Sequence, residues 1–159
     1  MRILGIDPGL ERMGFGIIDR EGSRLIPVEY GLIKTPTISL PDRLLLIEQQ
    51  LTDLCARLKP DMIATERLFF TNNKTTALDV SKALGVALLV TAQLGIEWTE
   101  YTPPEIKLSV VGNGAAEKLQ VQFMVTKLLG LTEKPKPDDV ADALAIAITH
   151  ALRIRAAVR

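Results

Sequence analysis

At 159 residues the chain is long enough for one compact domain with a core of its own. Its apolar share of 47% is ordinary for a globular protein. There is no apolar run of membrane-spanning length and no signal-peptide layout, so no membrane partner is expected and the default compartment is cytoplasmic. The 19 basic and 19 acidic side chains cancel, which counts against a generic basic nucleic-acid coat but does not exclude an acidic site beside a basic surface, and the single cysteine, Cys55, excludes an internal disulfide.

The first strand is read over Met1 to Asp7, with Ile3, Leu4 and Ile6 as its apolar residues and Pro8-Gly9 as its end. Asp7 stands at the C-terminal lip, where a carboxylate needs a partner, water or a cation; alternatively it caps the Pro-Gly turn. Arg12 falls in the loop that follows. A second strand is read over Gly14 to Asp19 and a third over Leu25 to Ile33, an antiparallel meander turning at Arg20 to Ser23. Gly14 and Gly16 inside a strand mark either a bulge or the close approach of a backbone or ligand.

Ser39, Pro41 and Asp42 form a helix start, and Leu44, Ile47, Leu51, Leu54 and Leu58 then share one face. Cys55 lies beside that face as a small core residue, and Lys59-Pro60 ends the helix. Met62 to Glu66 reads as a buried parallel strand. Glu66 ends it as Asp7 ends the first, so parallel neighbours would open both carboxylates onto one edge. Phe69 and Phe70 follow, one expected in the core and one exposed, and then the polar loop Thr71 to Lys74. A helix from about Thr75 to Leu94, stopped by Gly95, is apolar on more than one face, and a second subunit could cover the extra face.

Ile96 to Tyr101 alternates as the last strand. Thr102, Pro103 and Glu105 then make a capping box for a short helix carrying Ile106, Lys107 and Val110. Gly112-Asn113-Gly114 joins it to a helix with Lys118 in its first turns. That layout suits a phosphate and equally suits a plain interhelical turn. Pro135 and Pro137 stiffen a loop before the final helix. There Asp139 and Asp142 are spaced i, i+3 on one face at the positive end of the helix dipole. N-terminal acid bias accounts for Asp138 and Asp139 but poorly for Asp142, which lies between alanines and should be at least partly shielded. His150 near the helix end is read as a surface residue without assigned chemistry.

Four carboxylates, Asp7, Glu66, Asp139 and Asp142, are therefore expected to converge on a divalent cation. Two such ions roughly 3.5–4 Å apart can stabilise both oxygens of an in-line phosphoryl displacement. One cysteine and one histidine cannot make a zinc site of usual spacing, and neither a Ser-His-Asp set nor a Walker A pattern stands out.

The chain resembles the RuvC Holliday-junction resolvase family of the ribonuclease H-like superfamily over nearly its whole length. The resemblance rests on Gly5-Ile6-Asp7-Pro8-Gly9, Glu66 followed by Phe69, Val110 to Lys118, and Asp139-x-x-Asp142-Ala-Leu-Ala-Ile-Ala-Ile-Thr-His. It implies an α/β fold with a five-stranded mixed sheet, the three-stranded meander plus two parallel strands, and helices on both faces. It implies one nuclease domain over residues 1–159 that resolves four-way DNA junctions in recombination and repair by paired, metal-dependent nicks in strands of like polarity. By motif, Asp7, Glu66, Asp139 and Asp142 match the family's metal-binding catalytic acids, and Lys107 and Lys118 its basic residues near the scissile strand. Phe69 matches an aromatic that engages unstacked bases. Arg12, Phe70, Asn73, Lys74, Lys82, Gly112 and Gly114 join Phe69, Lys107 and Lys118 as expected DNA contacts. Mg2+, replaceable by Mn2+ and at two ions per site, is the implied cofactor. A homodimer, junction DNA and the RuvA–RuvB branch-migration complex are the implied partners. The long helix departs from the family pattern at Ser81 to Gly85, where Leu84 replaces a basic residue, and Asn72 stands where a lysine is common.

Three other readings compete. The RNA-processing branch of the same superfamily fits poorly with Phe69 and the stretch from Gly112 to Lys118. Half of an actin-like ATPase would need a second such domain, and a silent junction-binding module would not need four acids.

Overall fold

Strand periodicity sorts the first strand into two faces: Ile3, Gly5 and Asp7 on one, Leu4 and Ile6 on the other. The computed structural model, which describes residues 1–68 and 74–154 and the backbone alone of 74–76, builds the fold on that division. β1 (Arg2–Asp7), β2 (Arg12–Glu21) and β3 (Arg24–Lys34) form the expected antiparallel meander. β4 (Met62–Glu66) and β5 (Glu97–Tyr101) continue the sheet in parallel, in the order β3-β2-β1-β4-β5.

α1 (Leu40–Leu58) and α2 (Lys74–Gln93) cover the face of Leu4 and Ile6, where Ile17, Ile47, Leu51, Ile63, Ala83 and Val90 close the core. Cys55 is buried in that layer. Ser39 caps α1, its hydroxyl accepting from the Asp42 amide, and Lys59 ends it in the left-handed region. α3 (Pro103–Val111), α4 (Lys118–Leu128) and α5 (Asp138–Arg153) pack on the face of Ile3, together with Ile18, Ala64, Leu144 and Ile148. The two helix layers bury the central strands β1 and β4 on both faces, which suits their continuous apolar runs.

α5 is buried almost all along, and three glycines let it lie on the sheet. A Cβ at Gly5 would come within 2.1 Å of the Ala143 carbonyl oxygen, and one at Gly14 within 2.1 Å of that of Asp139. At Gly16 it would meet the Leu144 side chain at 2.6 Å. The open choice for Gly14 and Gly16 is thus resolved as close approach: Gly14 admits the α5 backbone and Gly16 the Leu144 side chain. The irregularity in the meander lies instead between Ile17 and Ile18.

Two sequence readings need correction. Arg12 is the first residue of β2, not a loop residue, because the β2–β3 ladder runs on to Arg12 and Lys34 beyond the end of β1. His150 is 2% exposed and not on the surface. Its Nδ1 shares a 2.8 Å hydrogen bond with the Tyr101 hydroxyl, and its Nε2 lies 3.1 Å from Met62 Sδ. Burial lowers its pKa, so a neutral ring ties α5 to β4 and β5. Among the described residues no helix is long and apolar enough to cross a membrane.

Candidate active site

Asp7 and Glu66 meet because of register. β1 and β4 are parallel, with Gly5 beside Ala64 and Ile6 beside Thr65, so the next residues along are Asp7 and Glu66. Both lie on the face that α5 covers, as Gly5 and Ala64 do. The N-terminal turns of α5 then lower Asp139 and Asp142 onto these strand ends. The i, i+3 spacing turns both acids the same way, and both are partly buried.

The four acids feel one another. Burial, and then the charges of Asp142, Glu66 and Asp139, push the Asp7 carboxyl from its ordinary 3.8 up to about 8, with Lys118 opposing. Burial and the Asp142 charge raise Glu66, against Lys118 and Lys107. Burial also raises Asp142, although Lys118 donates to its Oδ2 at 2.9 Å. The Lys118 ammonium also stands 3.5 Å from Asp138. Desolvation works against its charge, but the bond to Asp142 and the Asp142 and Asp138 charges outweigh it, so its pKa rises.

As the side chains stand, no three acidic, imidazole or thiol groups among the described residues are drawn together tightly enough to hold an ion. Cations lean on two of the acids: Lys118 on Asp142, and Arg12 on Asp139 at 3.3 Å. The Arg12 approach is not a hydrogen bond, and Asp139 Oδ2 stays buried without one. A hard dication fits this donor set. The donors are all carboxylate oxygens, one of them is buried and unsatisfied, and one carboxyl is pushed up to about 8 by burial and by its acidic neighbours.

An open cavity of about 220 Å3 adjoins the acids, with Glu66, Asp142, Lys107 and Lys118 around it and Ile106 and Val121 among its apolar walls. Lys107 is carried there by α3, whose N-terminus is fixed by the expected box. Thr102 Oγ1 accepts from the Glu105 amide, and Glu105 accepts from the Thr102 amide. Gly112, in the left-handed region, ends α3 with its amide on the Leu108 carbonyl. The amides of Ala115 and Ala116 go to Asn113, so the turn uses much of its own donor capacity.

The structure therefore gathers Asp7, Glu66, Asp139, Asp142, Arg12, Lys107 and Lys118, and holds Gly112 and Gly114 in the turn between α3 and α4. Lys82 pairs with Asp79 on α2 at 2.9 Å and does not line that cavity. Phe69, Phe70 and Asn73 lie outside the described residues, as does the side chain of Lys74. Sequence reading missed the part of Asp138, one helical turn before Asp142 and therefore able to share its lysine. It also missed buried Gln122, which donates to Asp138 at 2.9 Å. The Asp138/Asp142 spacing was a usable signal; nothing local announces Gln122.

Comparison with known proteins bears on this geometry. The family model described as crossover junction endodeoxyribonuclease RuvC matches residues 3–150. Crossover junction endodeoxyribonuclease RuvC of Desulfitobacterium hafniense is 51% identical over 152 residues, covering 95% of this chain and 92% of the relative. That of Alkaliphilus oremlandii is 53% identical over 152 residues, covering 95% and 93%. The structure of T. thermophilus RuvC in complex with Holliday junction substrate superposes with a TM-score of 0.90 at 34% identity, covering 96% of this chain and 93% of that one.

Proposed function

The chain belongs to the RuvC family of crossover junction endodeoxyribonucleases and is a nuclease of four-way DNA junctions, and we propose that Asp7, Glu66, Asp139 and Asp142 are the acids with which it cuts them. The observation that carries this reading is the Asp7 carboxyl, pushed to about 8 by burial and by the other three carboxylates. Such a cluster costs stability unless a cation neutralises it, and four carboxylates suit a hard one.

The family depends on divalent metal. For this chain we take the ion to be Mg2+, replaceable by Mn2+, at two ions per site held by the four acids. When bound, it neutralises phosphoryl oxygens and acidifies water. The protein's own groups do the rest. Asp7 and Glu66 are fixed by the sheet register, so the site has a rigid floor. Asp139 and Asp142 ride on a buried helix with no freedom to retreat. Lys118 and Lys107 present ammonium groups at the cavity beside these acids, where they hold a phosphate by charge and position. Lys118, which donates to Asp142 at 2.9 Å, stands at the acids where it would stabilise negative charge developing on the phosphodiester.

Arg12 and the turn at Gly112 and Gly114 complete the backbone contacts in this reading, while Phe69, Phe70, Asn73, Lys74 and Lys82 engage the DNA around the crossover, Phe69 by stacking on an unpaired base. Residues 1–159 act as one nuclease unit. Two copies pair through the apolar surplus of α2, where Leu78 and Leu89 are both 54% exposed, giving two sites for paired nicks. The RuvA–RuvB motor is the further partner that the family suggests.

The test is cutting of a synthetic four-way junction, linear duplex, single strand and RNA hairpin with and without Mg2+. The reading expects nicks in the junction alone, paired across strands of like polarity, and none in EDTA. Equal cutting of RNA and junction would contradict it, and so would cutting without metal.

A further inference from the structure

Next to the acids, on the side away from Lys107, lies a second open cavity of about 600 Å3, lined by Arg12, Lys118, Lys134, Lys136, Pro137, Asp138 and Asp139. Lys118 lines both cavities, so the two adjoin each other beside the N-terminal turn of α5. Four cations face two carboxylates here, an excess of two positive charges in a chain whose net charge is zero. The acids are already engaged, Asp139 by Arg12 and Asp138 by Lys118. Among the described residues Lys134 and Lys136 form no ion pair. Both are exposed, while Pro135 between them is buried and Pro137 after them is half-buried.

That arrangement is unlike an ordinary solvated lysine pair. Two prolines restrict the backbone of the loop, so presenting the ammonium groups costs less entropy than on a free loop. A phosphodiester strand held by Lys107 and Lys118 on one side of the acids must leave over the other side. Arg12, Lys134 and Lys136 offer such a strand a positive surface there.

We propose that Lys134 and Lys136, with Arg12, form a second phosphate-binding subsite that holds the DNA strand on the far side of the bond to be cut. The subsite rests on the nuclease reading above. Its ligand is a backbone phosphate, read by charge without regard to base. It gives the strand two anchor regions, one on each side of the acids, so the bond between them is held in place rather than free to slide.

The experiment measures junction affinity against salt in EDTA for wild type, the Lys134→Ala/Lys136→Ala double variant and the Lys134→Arg/Lys136→Arg double variant. The alanine pair should lower the slope of log affinity on log salt by about 1.8, the counterion release of two phosphate contacts, and should weaken binding roughly tenfold per contact near 0.1 M salt. The arginine pair should keep the wild-type slope. Junctions carrying one neutral methylphosphonate at successive positions on either side of the cut bond then locate the contact. Wild type should lose affinity at positions on both sides, and the alanine pair should become indifferent on one side only. An unchanged slope in the alanine pair would overturn the subsite, and so would a methylphosphonate penalty that persists undiminished on both sides. Wild-type protein that does not prefer a junction to duplex would overturn the nuclease reading and this subsite with it.

Discussion

The two ends of the sheet treat the same chemical group in opposite ways. At the end where β1 begins, Arg2 holds Asp19 across the ladder through two bonds, of 2.9 and 2.8 Å, and the Asp19 pKa falls. At the end where β1 finishes, Asp7 has Glu66, Asp139 and Asp142 for neighbours and its pKa climbs to about 8. One carboxylate is neutralised by the fold and the other is left wanting a cation. Pairing of the first kind serves stability. A buried cluster of the second kind works against stability and persists where function needs it.

The largest expected effect breaks the contrast at its functional end. Asp7→Asn should cut nicking of a four-way junction by roughly 10²–10³-fold or more, as expected when a preorganised charge at a reacting site is lost. Junction binding in gel shift should survive. Asp19→Asn, at the other end, should leave nicking per folded molecule unchanged.

Next comes the pH dependence of the metal-free protein. The folded Asp7 binds its proton up to about pH 8 and the unfolded chain releases it near 3.8. Between those values the native state holds more protons, so its contribution to stability falls as pH rises and levels off above about 8. Denaturant unfolding in EDTA should show that loss, on the order of a few kcal/mol across the window. Asp7→Asn should remove most of it.

Gly14→Ala sharpens the contrast from the backbone. Its Cβ would collide with the Asp139 carbonyl, so α5 must lift off the sheet and carry its acids with it. A stability loss of about 1–3 kcal/mol is expected by chemical denaturation, with loss of nicking even at temperatures where the variant is folded. The smallest effect is at the paired end. Arg2→Ala removes a partly exposed pair and a bond to the Leu58 carbonyl, and should cost about 1 kcal/mol with normal activity in the folded fraction.

These differences explain what the sequence could and could not reveal. The strands, the helices and the shared edge of Asp7 and Glu66 were legible because each follows from local periodicity and a parallel register. The glycines were ambiguous because a bulge and a close backbone approach leave the same local mark. Only the docking of α5, more than a hundred residues away, separates the two. His150 was misread for the same reason: its partners, Tyr101 and Met62, lie on other elements, and a position near a helix end says nothing of them. The lysines at 134 and 136 sat in a loop noted only for its prolines, and became visible when Lys118 was seen to line both cavities.

Direct titration of Mn2+ into the protein by calorimetry, without DNA, tests the central claim that the four carboxylates form a cation site. Wild type should bind, with protons released near pH 7 as Asp7 ionises, and Asp7→Asn and Asp142→Asn should each weaken binding by about tenfold or more. Asp19→Asn should bind as wild type does. Equal Mn2+ affinity in wild type, Asp7→Asn and Asp142→Asn would contradict the account.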